Sequence, residues 1–354
     1  MSKESGKQNR KPRIGISIGD INGIGMEVIL KTFTDNSHIR DCVPVIYGNS
    51  KVLSYHRKAI DIKDFNFVTI VNADAINYKK LNLINCWNEE SKIDIGMATQ
   101  EGGKFALLSL KAATADLKAG KLDAIVTAPI NKKTIQQDGF DFAGQTEYFA
   151  SEFSAEKHCM MLVSDNLKIS FVSGHVPLRQ AAAFVTKDRI VEKLDVMATS
   201  LIKDFGIRKP KIAVLALNPH AGDDGLIGTE EKDEIVPAIS QVADDKRMLV
   251  MGPYAADGFF GSGQYFKFDA TLAMYHDQGL IPFKNLCFNS GVNYTAGLSA
   301  IRTSPDHGTA YDIAGKNLAS EQSFRHALYL AIDILKERGI YEEITSNPLE
   351  TASK

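Results

Sequence analysis

The chain of 354 residues has only four cysteines, Cys42, Cys86, Cys159 and Cys287. They are widely scattered and include no Cys-x-x-Cys pair, which argues against a disulfide framework or a thiolate metal site. Such usage suits buried thiols in a reducing, cytoplasmic setting. No apolar run reaches membrane-spanning length, so no transmembrane helix is expected. The formal net charge is only -2, which gives no reason to expect nucleic acid or an anionic membrane as partner. The Gly-x-Gly-x-x-Gly fingerprint is missing, and so is the phosphate-binding P-loop. A Rossmann-type dinucleotide site is therefore not supported. There is no internal repeat. Residues 1–11 are polar and basic without an apolar core, which reads as a disordered tail and not as a signal peptide.

What is there is the composition of an ordinary globular protein, 44% apolar and 24% charged, with enough chain for one large or two medium domains. Short apolar runs alternate with helical patterns. Arg13 to Gly19, Val43 to Tyr47 and Phe67 to Ile70 read as strands, with helices over Met26 to Phe33 and Ser50 to Ala59. This spacing suggests βαβ units in a mostly parallel sheet. A long helix is predicted over Gly96 to Lys118, with Phe105, Leu108, Ala112 and Ala115 on its buried face. Thr186 is placed to cap a helix whose buried stripe is Ile190, Leu194, Met197 and Leu201. Further helices are predicted over Thr229 to Ala243 and about Ser320 to Arg338.

Three strand-like runs end on a histidine. Phe171-Val-Ser-Gly leads to His175, Val214 to Asn218 leads to His220, and Leu272 to Tyr275 leads to His276. In open α/β sheets, ligands sit beyond the carboxyl ends of the strands. Any one histidine in that position could be a loop residue bonded to nearby backbone. Three together could meet in one crevice and hold a catalytic divalent metal. Imidazole suits zinc, cobalt, nickel or iron better than magnesium. Asp257 and Asp277 are candidates to orient a ligand or accept a proton. Lys284 and Arg302 would hold an anionic substrate, and Thr146 lies near a helix start that favours anions. His38, His56, His158 and His326 are expected to be solvated.

The longer motifs carry a resemblance. Gly19-Asp-Ile-Asn-Gly-Ile-Gly25, Asn218-Pro-His-Ala-Gly222, Ala273-Met-Tyr-His-Asp-Gln-Gly279, Gly291-Val-Asn293 and Ile301-Arg-Thr-Ser-Pro-Asp-His-Gly308 resemble the 4-hydroxythreonine-4-phosphate dehydrogenase family of vitamin B6 biosynthesis. The likeness runs from about Arg13 to Lys316. It implies a two-domain α/β/α sandwich similar to isocitrate and isopropylmalate dehydrogenases. It also implies one divalent ion (zinc, cobalt or magnesium) on His175, His220 and His276, with substrate held by Gln145, Thr146, Lys284, Asn293 and Arg302. The segment His307-Gly-Thr-Ala-Tyr-Asp-Ile-Ala-Gly-Lys316 resembles an adenosine-binding loop, which implies NAD or NADP contacts at His307, Gly308, Asp312 and Lys316. A homodimer whose cleft site is completed by the partner is implied as well.

By fold analogy, residues 12–142 plus 293–354 would form the first domain and 143–292 the second, carrying the histidines. The implied reaction is oxidation of 4-phosphooxy-L-threonine, with loss of carbon dioxide to give 3-amino-2-oxopropyl phosphate. A sibling activity on 4-phospho-erythronate or 4-phospho-threonate is the alternative, and a metal-dependent hydrolase is a more distant one. Two positions depart from the family pattern. Gln145 stands where the family's Gly-His-Thr-Glu has histidine, and Gly-Asp-Ile-Asn-Gly replaces the usual Gly-Asp-Pro-Ala-Gly. Glutamine can donate and accept hydrogen bonds but cannot become cationic.

Overall fold

A computed structural model describes residues 10–35, 37–245 and 247–347. Most of the expected N-terminal tail, residues 1–9, lies outside the described residues. The chain divides into two compact units, Met1–Phe149 with Ala300–Ile332, and Ala150–Ser299 with Asp333–Lys354. The sequence expectation gave all of 293–354 to the first unit. In the structure the helix Gln322–Thr345 is divided, and its later part belongs to the second unit. Chemistry explains this: Arg338 Nε donates to Asp204 Oδ1 at 2.6 Å, and both groups are buried.

The strands of the first unit are β1 (Arg13–Ser17), β2 (Val43–Gly48), β3 (Phe67–Ile70), β4 (Leu81–Asn85), β5 (Ala124–Thr127) and β12 (Arg302–Pro305). Their order is β3-β4-β2-β1-β5-β12, and every neighbouring pair is parallel. Parallel strands packed by helices read as near-continuous apolar runs. The fully buried Ile14, Ile16, Val45, Leu83 and Val126 fit that rule. The helix over Gln100–Lys118 is shorter than the predicted one, because Thr99 caps it and accepts a bond from Gly102 N. Its buried face is Phe105, Ala106, Ser109, Leu110, Ala113 and Leu117. Leu108, Ala112 and Ala115 are turned further outward, so the expected stripe was wrongly rotated beyond Phe105.

The second unit holds β6 (Cys159–Val163), β7 (Lys168–Ser173), β8 (Lys211–Leu215), β9 (Leu249–Tyr254), β10 (Ala270–Tyr275) and β11 (Val292–Ala296). The order is β11-β6-β7-β10-β8-β9. The first two pairings are antiparallel and the other three parallel. Leu162, Ile169, Phe171, Leu215, Phe259, Ala273 and Phe283 form the core here. The predicted helix over Thr229 to Ala243 is present and opens with a π-helical turn, Glu231–Ile235, that runs into Val236–Val242. Pro237 has no N–H for the ordinary bond four residues back, so the ladder widens at that point.

Candidate functional site

The second unit positions all three histidines named above. β7 ends at Ser173, and His175 follows two residues later, exposed. β10 runs directly into the helix His276–Cys287, so His276 is a first-turn helical residue and not a loop residue. The rings of His175 and His276 stand 5.4 Å apart, and Phe171 backs His276 at 5.3 Å. Asp277 Oδ1 lies 2.6 Å from His276 Nδ1. That contact orients the imidazole and leaves Nε2 as the ring's other ligating atom. Asp257 sits exposed on the short helix Ala256–Gly261.

His220 is held differently. It opens a run of left-handed backbone through His220, Ala221, Gly222, Asp223 and Asp224, with φ between 43° and 78°. Among the described residues, no three His, Cys, Asp or Glu side chains are grouped to hold a metal ion. One chain therefore presents an adjacent imidazole pair, with His220 outside any such trio. The donors have the right chemistry for zinc or cobalt, but one chain does not gather all three. Lys284 lies on the same helix as His276. Asn293, on β11, donates from Nδ2 to Met160 Sδ at 3.0 Å.

The first unit holds the other polar cluster. Arg302, the first residue of β12, is 3% exposed. Thr127 Oγ1 at the end of β5 accepts from its Nε at 3.1 Å and from its Nη2 at 2.9 Å. Gln145 Oε1 accepts from Nη2 at 3.0 Å, while Gln145 Nε2 donates to the Ala128 carbonyl at 3.2 Å. These two contacts fix which way the amide points. Burial pulls the Arg302 guanidinium down to about 9 while nearby Glu147 opposes the shift, so it remains cationic at neutral pH. Gln145 and Thr146 are buried at the start of the helix Gln145–Glu152. A buried cation beside a helix N-terminus is suited to an anion. Sequence reading did not find Thr127 in this role, because a threonine ending a strand carries no pattern of its own.

The segment after β12 packs on the glycine-rich turn. Ile24 N donates to Thr309 O at 3.0 Å, and Tyr311 O–H donates to Asp20 Oδ2 at 2.7 Å. Desolvation raises the pKa of the buried Asp20 carboxyl, against the lowering effect of its Tyr311 and Asn22 bonds. A side chain at Gly23 would meet Thr309 O at 2.8 Å, and Gly19 adopts φ +68° against Pro129. Those glycines exist to let the chain's own backbone approach. Gly308, Asp312 and Lys316 are exposed, and His307 is half-buried with Nδ1 3.0 Å from Gly308 O.

The expectation of solvated histidines fails at two positions. His38 is buried, with Nδ1 2.8 Å from Tyr329 O–H, and His56 is buried with Nε2 2.7 Å from the Ile21 carbonyl. Both lie on faces where a carbonyl or hydroxyl satisfies the ring.

A family model described as pyridoxal phosphate biosynthetic protein PdxA matches residues 40–331. The chain belongs to this family. A 4-hydroxythreonine-4-phosphate dehydrogenase from Bacteroides thetaiotaomicron is 50% identical over 343 residues, covering 97% of this chain and 94% of that protein. An Oceanobacillus iheyensis relative, provisionally named D-threonate 4-phosphate dehydrogenase, is 38% identical and covers 92% of this chain and 98% of its own. The crystal structure of 4-hydroxythreonine-4-phosphate dehydrogenase from Klebsiella pneumoniae superposes with a TM-score of 0.79. It is 32% identical and covers 92% of this chain and all of that one. The chain is thus a dehydrogenase of the PdxA family, with the mostly parallel α/β fold of its solved members.

Proposed function

We propose that the chain oxidises 4-phosphooxy-L-threonine with NAD, or NADP, and releases carbon dioxide to leave 3-amino-2-oxopropyl phosphate. The observation that carries this reading is the buried Arg302, held by Thr127 and Gln145 beside the first turn of the Gln145–Glu152 helix. A buried cation beside a helix N-terminus suits an anionic group, and a phosphate monoester supplies one. Thr146 would add its hydroxyl, while Lys284 and Asn293 would bind the substrate's other polar groups.

The hydride leaves the hydroxyl-bearing carbon for the nicotinamide as the hydroxyl proton departs. The product is a β-keto acid, whose C–C bond to the carboxylate then breaks. The electron pair passes towards the new carbonyl, and a proton returns to the carbon. His307, Gly308, Asp312 and Lys316 are the proposed nicotinamide-cofactor contacts. His175, His220 and His276, brought together only across the proposed homodimer, would hold a divalent ion, which would supply charge stabilisation at the hydroxyl oxygen of the carbon being oxidised. Asp277 holds the His276 ring in place, and Asp257 is the second proposed proton-handling carboxylate.

The family's reaction chemistry and the scattered thiols support a cytoplasmic setting; among the described residues no helix is long and apolar enough to cross a membrane. Exposed Ile281, Leu286 and Phe288 on one helix, with Leu178 and Phe266, support a homodimer. A second reading, oxidation of D-threonate 4-phosphate, is favoured by the Oceanobacillus relative and by Gln145.

The test is NADH formation from the two phosphate esters and from 4-phospho-D-erythronate, with and without chelator. Turnover of 4-phosphooxy-L-threonine at the highest kcat/KM, abolished by chelator, is expected. No NADH from this ester, or a rate indifferent to the chelator, overturns the reading.

A further inference from the structure

The left-handed run from His220 to Asp224 includes four non-glycine residues at positive φ. Residues with a Cβ avoid that region and hold it only where the surroundings over-determine it. The run itself is closed by Leu226 N donating to Asp223 O at 3.1 Å and Ile227 N to Gly222 O at 3.0 Å, and the chain entering it is held by one buried side chain, Glu231, 4% exposed. Its Oε1 accepts from Leu217 N at 2.9 Å and from Asn218 N at 2.7 Å. Its Oε2 accepts from Asn218 Nδ2 at 3.0 Å, and Glu230 Oε2 takes the other bond from that amide at 2.7 Å. Gly222 lies against the same carboxylate, where an added Cβ would sit 2.6 Å from Oε2. Glu231 itself stands in the π-helical turn before Pro237, a local widening of a kind often found at functional sites.

We propose that Glu231 is a positioning residue for His220. It reaches no ligand itself. It fixes the backbone on which the imidazole is mounted, two residues before the histidine and again at Gly222. Without it the turn would relax towards ordinary backbone angles, and His220 would have to be ordered again each time an ion binds. This proposal rests on the reading that His220 is a metal ligand.

The experiment uses the full chain as isolated and cobalt(II) as probe, followed by its visible absorption and by competition with a chromophoric chelator. Glu231→Gln keeps the size of the side chain but sets an N–H2 against the donors it now accepts from. The expected result is cobalt binding weaker by about tenfold or more, as for other groups that orient ligands. His220→Ala is expected to weaken binding too, and the double variant to be no worse than His220→Ala alone. Gly222→Ala, which displaces the carboxylate from the other side, is expected to copy Glu231→Gln. Amide exchange should rise at Leu217 and Asn218 while β8 stays protected, which shows that the variant is folded.

Cobalt affinity of Glu231→Gln equal to that of the parent overturns the proposal, as does a loss that simply adds to that of His220→Ala. If His220→Ala binds as well as the parent, the metal reading itself is wrong, and the proposal falls with it.

Discussion

Among single residues, His56 makes the sharpest claim. It is buried, and its ring nitrogen is bonded to the Ile21 carbonyl beside the glycine-rich turn. Desolvation lowers its pKa from the ordinary 6.5, against the raising pull of that carbonyl. The unfolded chain takes up a proton at the ordinary value, while the folded one resists. The stability that His56 contributes is therefore complete above about pH 6.5 and drains away as pH falls towards the lowered value. Urea midpoints measured across this range should fall more steeply for the parent than for His56→Gln, which can still donate to Ile21. Superimposable curves would discard the argument. His56 also shows what a sequence hides. Its neighbours are polar and helical, and nothing in them says which face turns inward. The three proposed ligands were easier to place, because His175, His220 and His276 each follow an apolar run that becomes a strand. What the sequence could not say is that two of these rings stand together while the third is mounted on left-handed backbone.

Secondary-structure elements bear the clearest energetic consequence at the divided helix Gln322–Thr345. Arg338 projects from its second half to Asp204, whose carboxylate also accepts from Tyr294 O–H and Ser200. Arg338 donates as well to the carbonyls of Ser299 and Leu298, at 2.7 and 3.1 Å. Removing the cation would leave a carboxylate buried without its partner. Arg338→Ala is expected to lower the unfolding free energy by about 3 to 5 kcal/mol. Denaturant titration measures this, and a loss below about 1 kcal/mol, typical of a surface pair, would contradict it. The division was not legible beforehand, since the periodic pattern continues unbroken across it. Helix existence was read correctly at Thr186, where Ile190, Leu194, Met197 and Leu201 all turn out buried. It was also read correctly after Thr229, where a single proline nonetheless changes the hydrogen-bond ladder of one turn.

At the level of the whole molecule, the exposed apolar side chains decide the prediction. Ile281 is 68% exposed midway along the helix His276–Cys287, and Phe288 is 77% exposed just past its end. Exposed apolar side chains of this size suit the proposed contact between two copies of the chain. Phe288→Asp is expected to convert a dimer to monomers in sedimentation equilibrium, while the parent remains dimeric. A monomeric parent, or a variant that still dimerises, would remove the argument. The mostly parallel character of the sheet was legible because apolar runs and helical patterns alternate so regularly, whereas the strand order was not. The two-unit division was visible only by analogy, for no proline-rich or polar linker marks any of the three crossings.

The glycine-rich turn carries one more consequence. Gly19 and Gly23 make room for Pro129 and Thr309 of the same polypeptide, so that corner is already full. An engineer wishing to exchange one dinucleotide for another would find nothing to alter in the glycines. On the proposed cofactor contacts, the replacements belong at the exposed Asp312 and Lys316.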